Sequence, residues 1–388
     1  MAHKGGKPQV LLLRSYSKAN VAAIIAGGLR HCDAVDYWQY PPWPSDRIAK
    51  LKKLPHTQEA WENLHVNLIN SVEELSERLS ERYFDLILLT DYDAHLCEHH
   101  TLKFFPRLKA QLRIVRYALT KGWQYATAYD RYARAIPFSF KELKRFAPLT
   151  AIDLSDPFFL TQKDQKILQA SSLYFKRELP FDRFFLYYQN RPAPWSLRRK
   201  ELLPVLDKVY GIPLGIEDTK YRQLKEQRVA TQEIDVLFAG EITNTLRRTG
   251  LNLLQTWAAE SSWNIVTKSS LSFQDYCDTI ARSKITISIA GGGWDCFRHY
   301  EAPALGSLPL LNRPTIDAVW WHSMPKEIFF ENTFENFRER IERLLEDDAL
   351  RQRCFNILEH QIEEHMLHSK IIEYIIQTSL DSVSRHRL

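Results

Sequence analysis

The period of the apolar positions changes several times along this chain, and each change marks an element. VLLL after Gln9 is a continuous apolar run, read as a buried strand. A small-residue segment from about Ala19 to Leu29 then has helical character, and AVDYW reads as a second strand, so the opening predicts a βαβ unit. Beyond the proline-rich PPWPS, helical spacing recurs in TQEAWENL and SVEELSERLSERY, and FDLILLTDYDAH is an apolar run closed by acidic residues. Such a run suits a parallel strand covered on both faces, with polar groups at the carboxyl end where open α/β sheets hold ligands. The aromatic-rich stretch 101–182 contains two further expected strands, LTAIDLSDP and SSLYFKREL. Between Pro180 and Pro194 the period is lost and prolines accumulate, which predicts an interdomain linker.

The second half alternates regularly. EIDVLFAGEI, NIVTK, KITISIA and SLPLLN read as strands, with TLRRTGLNLLQTW and SFQDYCDTIARS as helices between them. Alternation of this kind predicts a second parallel α/β domain. The tail from FENFRERIERLLEDD onward carries apolar residues at helical spacing between charged faces, which predicts two or three amphipathic helices.

Composition narrows this picture. A chain of 388 residues exceeds one ordinary core and predicts two domains, and 45% hydrophobic with 26% charged residues excludes a disordered chain. A net charge of +5 favours anionic partners, and fits a nucleotide sugar, a phospholipid surface or RNA. The basic stripe of a dedicated nucleic-acid binder is missing, so no nucleic-acid partner is expected. Cys32, Cys97, Cys277, Cys296 and Cys354 are scattered and form no CxxC pair, which predicts a reducing compartment. The basic N-terminus has a short apolar run rather than a signal-peptide core, and no stretch approaches the roughly 20 apolar residues of a membrane span. The expected location is therefore cytoplasmic, with peripheral contact to a membrane left open.

One stretch concentrates backbone freedom and charge: IAGGGWDCFRHYEAPALGSLPLL, from Ile289 to Leu311. Gly291, Gly292 and Gly293 follow a strand and admit close approach of a ligand or another backbone. Asp295 is the expected N-cap of the next helix, leaving amide N–H groups free for an anion. Arg298 and Glu301 share a helical face. An arginine fork suits a diphosphate and a carboxylate suits vicinal hydroxyls, so together they fit a diphosphate joined to a ribose. The bland alternative is a tight turn beside a surface ion pair. Pro303 must sit in the first helical turn or kink the helix, and Gly306 is expected to end it.

The segment SKITISIAGGGWDCFRHYEAPALGSLPLLN resembles the donor-site region of GT-B glycosyltransferases, especially the bacterial CgeB-like and exostosin-like groups. There a strand and glycine loop precede an R-x-x-E-A-x-A-x-G-x-x-P pattern. DVLFAGEITNTLRRTGL is similar to the opening strand and Arg-bearing helix of their C-terminal domain, YFKREL and YGIPLGIED resemble the crossing between domains, and LLEDDALRQRC resembles the closing helices. The resemblance covers roughly residues 170–360. It implies an α/β protein of the GT-B class: two facing Rossmann-like domains with C-terminal helices. The acceptor-side domain would span 1–182, the linker region 183–215, the nucleotide-sugar-binding domain 216–360 and the closing helices 361–388. The implied activity moves a sugar from a nucleotide-diphosphate sugar to a glycan, lipid-linked or protein acceptor, with no metal or other cofactor. Residue by residue, Glu301 would bind the ribose, Gly292 and Gly293 would approach the diphosphate, and Arg298 would lie beside it. Gly240 and Thr243 belong to the turn before the helix on which Arg247 or Arg248 would stabilise the leaving group. A catalytically inactive binding protein and a nucleotide-sugar epimerase share the same layout.

The sequence departs from the family at one place. Many retaining members carry a second glutamate eight residues before the ribose-binding one, and this chain has Gly293 there. That favours inversion, in which one general base deprotonates the acceptor hydroxyl. Asp91 and His95 in TDYDAH, after an N-terminal strand, are the candidates for that base; a helix cap and a solvated turn are the structural alternatives. HLCEHH, with His95, Cys97, His99 and His100, fits no standard zinc spacing, so no metal is expected there. Trp294 lies inside the glycine loop, where its ring would pack on a nucleotide base or sugar if not on the core.

Overall fold

The computed structural model describes residues 6–14, 19–42, 66–90, 138–190, 204–317 and 319–385. The first unit holds β1 (Gln9–Arg14), α1 (Ala19–Arg30), β2 (Asp36–Tyr40), α2 (Val72–Ser80), β3 (Leu86–Thr90), α3 (Phe140–Phe146), β4 (Leu149–Asp153), α4 (Gln162–Ala170), β5 (Leu173–Lys176) and β6 (Val209–Gly211). Its sheet has the order β2-β1-β3-β4-β5-β6, parallel throughout. Alternate residues of one strand feed two cores: Leu11, Leu13, Ile87 and Leu89 join one, and Val10, Leu12, Leu86 and Leu88 the other. This is why the sequence shows unbroken apolar runs rather than alternation.

The second unit begins after a crossing at 212–217. It contains α5 (Asp218–Lys225), β7 (Ile234–Ala239), α6 (Thr245–Glu260), β8 (Ile265–Lys268), α7 (Phe273–Ala281), β9 (Ser283–Ser288), α8 (Arg298–Ala304), β10 (Leu308–Asn312), β11 (Phe329–Phe330), α9 (Phe337–Glu346) and α10 (Asp348–Gln361). Its sheet runs β11-β10-β9-β7-β8, again parallel. A π-helical turn (Ile362–Met366) then redirects the chain into α11 (His368–Arg385).

Helix α11 does not stay with the second unit. Ile371, Ile372, Ile375 and Ile376 join the core cluster that contains Ala22, Ala26 and Leu29 of α1. The first unit is therefore closed by the chain's last helix, and two Rossmann-like units linked by a double crossing make the GT-B layout. The first unit also reaches past residue 182, the limit expected from loss of period. Phe184, Leu186 and Tyr187 are buried in its core, and β6 pairs with β5. The lost periodicity marks a 3₁₀ segment (Arg183–Asn190) whose buried apolar side chains pack into the core of the first unit. Among the described residues no helix is long and apolar enough to cross a membrane.

The α1–α11 crossing depends on Gly28. A Cβ built there would lie 2.5 Å from the carbonyl oxygen of His368 and 2.5 Å from Cγ1 of Ile372. Alanine in a helix interior ordinarily stabilises by about 1 kcal/mol relative to glycine. Here Gly28→Ala is expected to destabilise by about 1–3 kcal/mol, because the backbone of α11 must move away. Urea unfolding of the variant reads the sign directly.

Candidate functional site

In the second sheet the chain leaves β7 towards β8 on one side and returns to β9 on the other. The crevice above the carboxyl ends of β7 and β9 is thus a topological switch point, where open α/β sheets hold ligands. Two loops meet there: residues 240–244 after β7 and residues 289–297 after β9. Asn244 ties them together. Its Oδ1 caps α6 by accepting from the amide of Arg247 at 2.9 Å, while its Nδ2 donates to the carbonyls of Ala290 and Gly291, each at 3.0 Å.

Two guanidinium groups lie in this crevice, each against a glycine. Arg247 is buried; its Nε donates to the Ile289 carbonyl at 3.0 Å and its Nη1 to the Glu241 carbonyl at 3.0 Å. A Cβ on Gly291 would sit 2.6 Å from its Nη2. Arg298 is 9% exposed, and a Cβ on Gly240 would come within 2.3 Å of its Nη2. Glycine at 240 and 291 is therefore a condition for laying a guanidinium across the backbone. The Nε and Nη1 of Arg298 find no hydrogen-bond partner among the described residues. Burial, and then the charge of Arg298, pull the pKa of Arg247 down. Burial works against the charge of Arg298 as well, but Tyr276, Cys296 and Glu301 outweigh it and hold it charged. Two buried like charges, one of them with unused donors, form a socket for an anion.

The helix α8 carries Arg298 and Glu301 as expected, but the two do not pair with each other. Glu301 Oε1 accepts from Lys220 Nζ at 2.6 Å and Oε2 from the Tyr276 hydroxyl at 2.8 Å. Burial penalises its charge, yet Lys220 and Tyr276 keep its pKa below the ordinary value. A carboxylate offers about four lone-pair sites, so two bonds leave it acceptor capacity. The bland reading of a surface ion pair is excluded by burial.

Two details of α8 correct the sequence reading. Asp295 is not its N-cap: the helix begins after Phe297 with no side-chain cap, and the Asp295 carboxylate accepts from the Leu214 amide at 2.6 Å and the Tyr300 hydroxyl at 2.7 Å. It fastens the interdomain crossing. Pro303 stands in the last turn rather than the first. The chain closes there in a Schellman motif, with Ser307 donating to Ala302 at 2.9 Å and Gly306 to Pro303 at 3.0 Å. Gly306 has φ +92°, so it ends the helix as expected. Arg228 donates to the carbonyls of Ala304 at 2.9 Å and Pro303 at 2.8 Å, satisfying acceptors that a helix end leaves open.

The glycine loop itself differs from expectation. Its amides at 294 and 295 are occupied: Trp294 donates to Glu178 Oε2 at 2.9 Å and Asp295 to Glu178 Oε1 at 3.0 Å. Glu178 stands two residues beyond β5, so a first-unit carboxylate fills the anion nest of the second unit. Gly293 is glycine because Glu178 Oε1 would lie 2.4 Å from a Cβ there. Gly292 is exposed and faces Asp156, whose Oδ2 would be 3.0 Å from its Cβ. Trp294 is core: it is 2% exposed, donates to the Asn312 carbonyl at 2.8 Å and meets Trp321 edge-on at 5.4 Å. It offers no ring to a ligand.

The helical turn separates Arg247 from Arg248. Arg247 faces inward, whereas Arg248 and Thr243 are exposed. Asp91, His95 and the HLCEHH cluster lie outside the described residues. Among the described residues no cluster of His, Cys, Asp and Glu could hold a metal ion. Sequence reasoning missed Glu178, Lys220, Tyr276 and Asp156, which reach the site from distant segments. Asn244 carried a local signal, an Asn at the start of a helical pattern.

Residues 239–322 match the family model described as the RXYLT1 C-terminal domain. That segment runs from the end of β7 through both loops and α8, so it contains Gly240, Asn244, Arg247, Arg298 and Glu301. No curated relative matches the chain by sequence. Among solved structures the chain is similar to an alpha-glucosyltransferase in complex with UDP and a 13-mer DNA, at 10% identity and TM-score 0.49, covering 96% of this chain and 99% of that one. It is also similar to UDP-GlcNAc 2-epimerase from Neisseria meningitidis bound to UDP-GlcNAc, at 12% identity and TM-score 0.43, covering 96% and 100%. A third is the catalytic domain of Starch Synthase IV from Arabidopsis thaliana bound to ADP and acarbose, at 11% identity and TM-score 0.47, covering 98% and 100%. At these scores the strand order and the returning helix, not the likenesses, carry the fold.

Proposed function

We propose that the chain is a glycosyltransferase that binds a nucleotide-diphosphate sugar above β7 and β9 and passes its sugar to an acceptor held by the first unit. One observation carries the reading: Arg247 and Arg298 are buried together at the switch point against glycine backbone, and the Nε and Nη1 of Arg298 have no hydrogen-bond partner among the described residues. A diphosphate is the anion that matches two adjacent forks. Glu301, held in place by Lys220 and Tyr276, turns its remaining lone pairs to the ribose hydroxyls. The guanidinium pair also supplies the charge that stabilises a departing nucleoside diphosphate, so the proposal calls for no metal. Glycine at 293 favours inversion, with the acceptor hydroxyl deprotonated by a base from the first unit.

The test is a melting series with UDP, GDP and CMP. One nucleotide should raise stability by about 2.7 kcal/mol at a hundredfold excess over its Kd. Glu301→Gln keeps the shape but weakens the grip of Lys220, and is expected to cut that affinity at least about tenfold. An unchanged response in the variant would move the ribose elsewhere, and no response to any nucleotide would end the donor reading. Released nucleoside diphosphate marks transfer; interconversion of free nucleotide sugars would mark an epimerase instead.

A further inference from the structure

The first unit presents to the glycine loop a short segment that donor binding does not use. Strand β4 ends at Asp153, whose carboxylate accepts from Lys176 Nζ at 2.8 Å and the Tyr174 hydroxyl at 2.9 Å. The same carboxylate accepts from the Ser155 amide at 2.9 Å, which turns the chain sharply. The next residue, Asp156, pairs with buried Arg177, yet 63% of its side chain stays exposed and it reaches Gly292 of the other unit. Two residues on, at most about 7 Å along the chain, Phe158 is 38% exposed. Its ring meets Phe159 edge-on at 5.5 Å and Tyr188 at 5.8 Å, and these contacts fix its orientation. An exposed carboxylate and an exposed aromatic ring thus stand two residues apart on a braced loop, and the carboxylate faces the loop that precedes Arg298.

We propose that this loop, residues 155–159, is the acceptor subsite and that it takes a neutral carbohydrate ring. The inference rests on the donor reading above and names the acceptor's class. A sugar has an apolar C–H face that lies on an aromatic ring and hydroxyls that donate to a carboxylate, which accepts only. Asp156 and Phe158 supply both halves. A phosphorylated or acidic acceptor would meet the Asp156 charge, and an acyl chain would strip that carboxylate of water with nothing in return. The Asp156 approach to Gly292 puts the bound hydroxyl beside the donor site, where a transferred sugar must arrive.

The experiment is a panel of neutral oligosaccharides, acidic oligosaccharides and anionic phospholipid vesicles, read by direct binding for the full chain and for Asp156→Asn and Phe158→Ala. Neutral oligosaccharides should bind, and each variant should weaken them about tenfold or more. The nucleotide melting response should be unchanged in Phe158→Ala. Equal neutral-glycan binding in the variants, binding of none by the native chain, or a preference for acidic glycans or vesicles would each overturn the subsite. Loss of the nucleotide response in the native chain is a separate failure, of the donor reading.

Discussion

Replacing Arg298 by methionine is expected to weaken a nucleoside diphosphate by at least about 100-fold, while the ligand-free protein becomes no less stable. Truncating one side of a buried charge pair costs about 2–5 kcal/mol in binding. The stability half of the prediction is the more diagnostic. Arg298 is 9% exposed and stands beside Arg247, whose own pKa is lowered by burial and by that neighbour. Tyr276, Cys296 and Glu301 hold Arg298 charged, but nothing among the described residues bonds to its Nε or Nη1. An unbranched apolar side chain of similar length removes the buried charge and keeps the packing. A structural arginine would behave oppositely, with stability lost on substitution. Calorimetric titration with UDP, GDP and CMP, together with melting of the ligand-free variant, separates the cases. A destabilised variant that keeps its affinity would remove the socket from the donor site.

The parts of the fold legible in sequence are those whose signal is local. Apolar runs such as LILLT and the helical spacing of the tail follow from which faces are covered, and they make β1 to β5, β7 to β10 and the last helices legible, whereas the short edge strands β6 and β11 carry no such run. Short helices were missed where the signal was a cap rather than a period. Ser139 with Glu142 and Thr161 with Asp164 form capping boxes on α3 and α4, motifs of the S/T-x-x-E type in an aromatic-rich stretch whose period says little. In the site, the glycines and Arg298 with Glu301 were visible because they are neighbours in the chain. Their partners were not. Lys220 reaches Glu301 across 81 residues and Glu178 reaches Trp294 across 116, and no spacing rule encodes such distances. The misreading of Gly293 has the same origin. A glycine reports that something approaches its backbone, not whether that something is a ligand or a carboxylate from the other unit.

Glu178 gives the protein a pH response of predictable sign. Burial drives its pKa up to about 7; Arg177 and the amides of Trp294 and Asp295 oppose the rise, and the Asp295 charge adds to it. Asp156 faces the same group through Arg177. The folded protein therefore holds this proton more tightly than the unfolded chain, where a glutamate titrates near its ordinary 4.5. Between those two values the native state binds more protons, so the contribution is full below about 4.5 and is lost as pH rises through about 7. A shift of that size corresponds to at most about 3 kcal/mol. Glu178→Gln mimics the protonated form in shape and charge. Its melting temperature should lose this group's decline between pH 5 and 8, so that any deficit against the native protein at pH 5, set by the one buried amide a glutamine nitrogen cannot accept from, shrinks or reverses by pH 8. Because this carboxylate is the clasp between β5 and the glycine loop, the same rise in pH should loosen the hold of the first unit on the donor loop, whereas Glu178→Ala removes the acceptor for two buried amides and should cost about 2–5 kcal/mol at every pH. A native profile without this decline, with Glu178→Gln less stable throughout, would mean that the carboxylate is ionised at all these pH values and that Arg177 with the two amides outweighs burial.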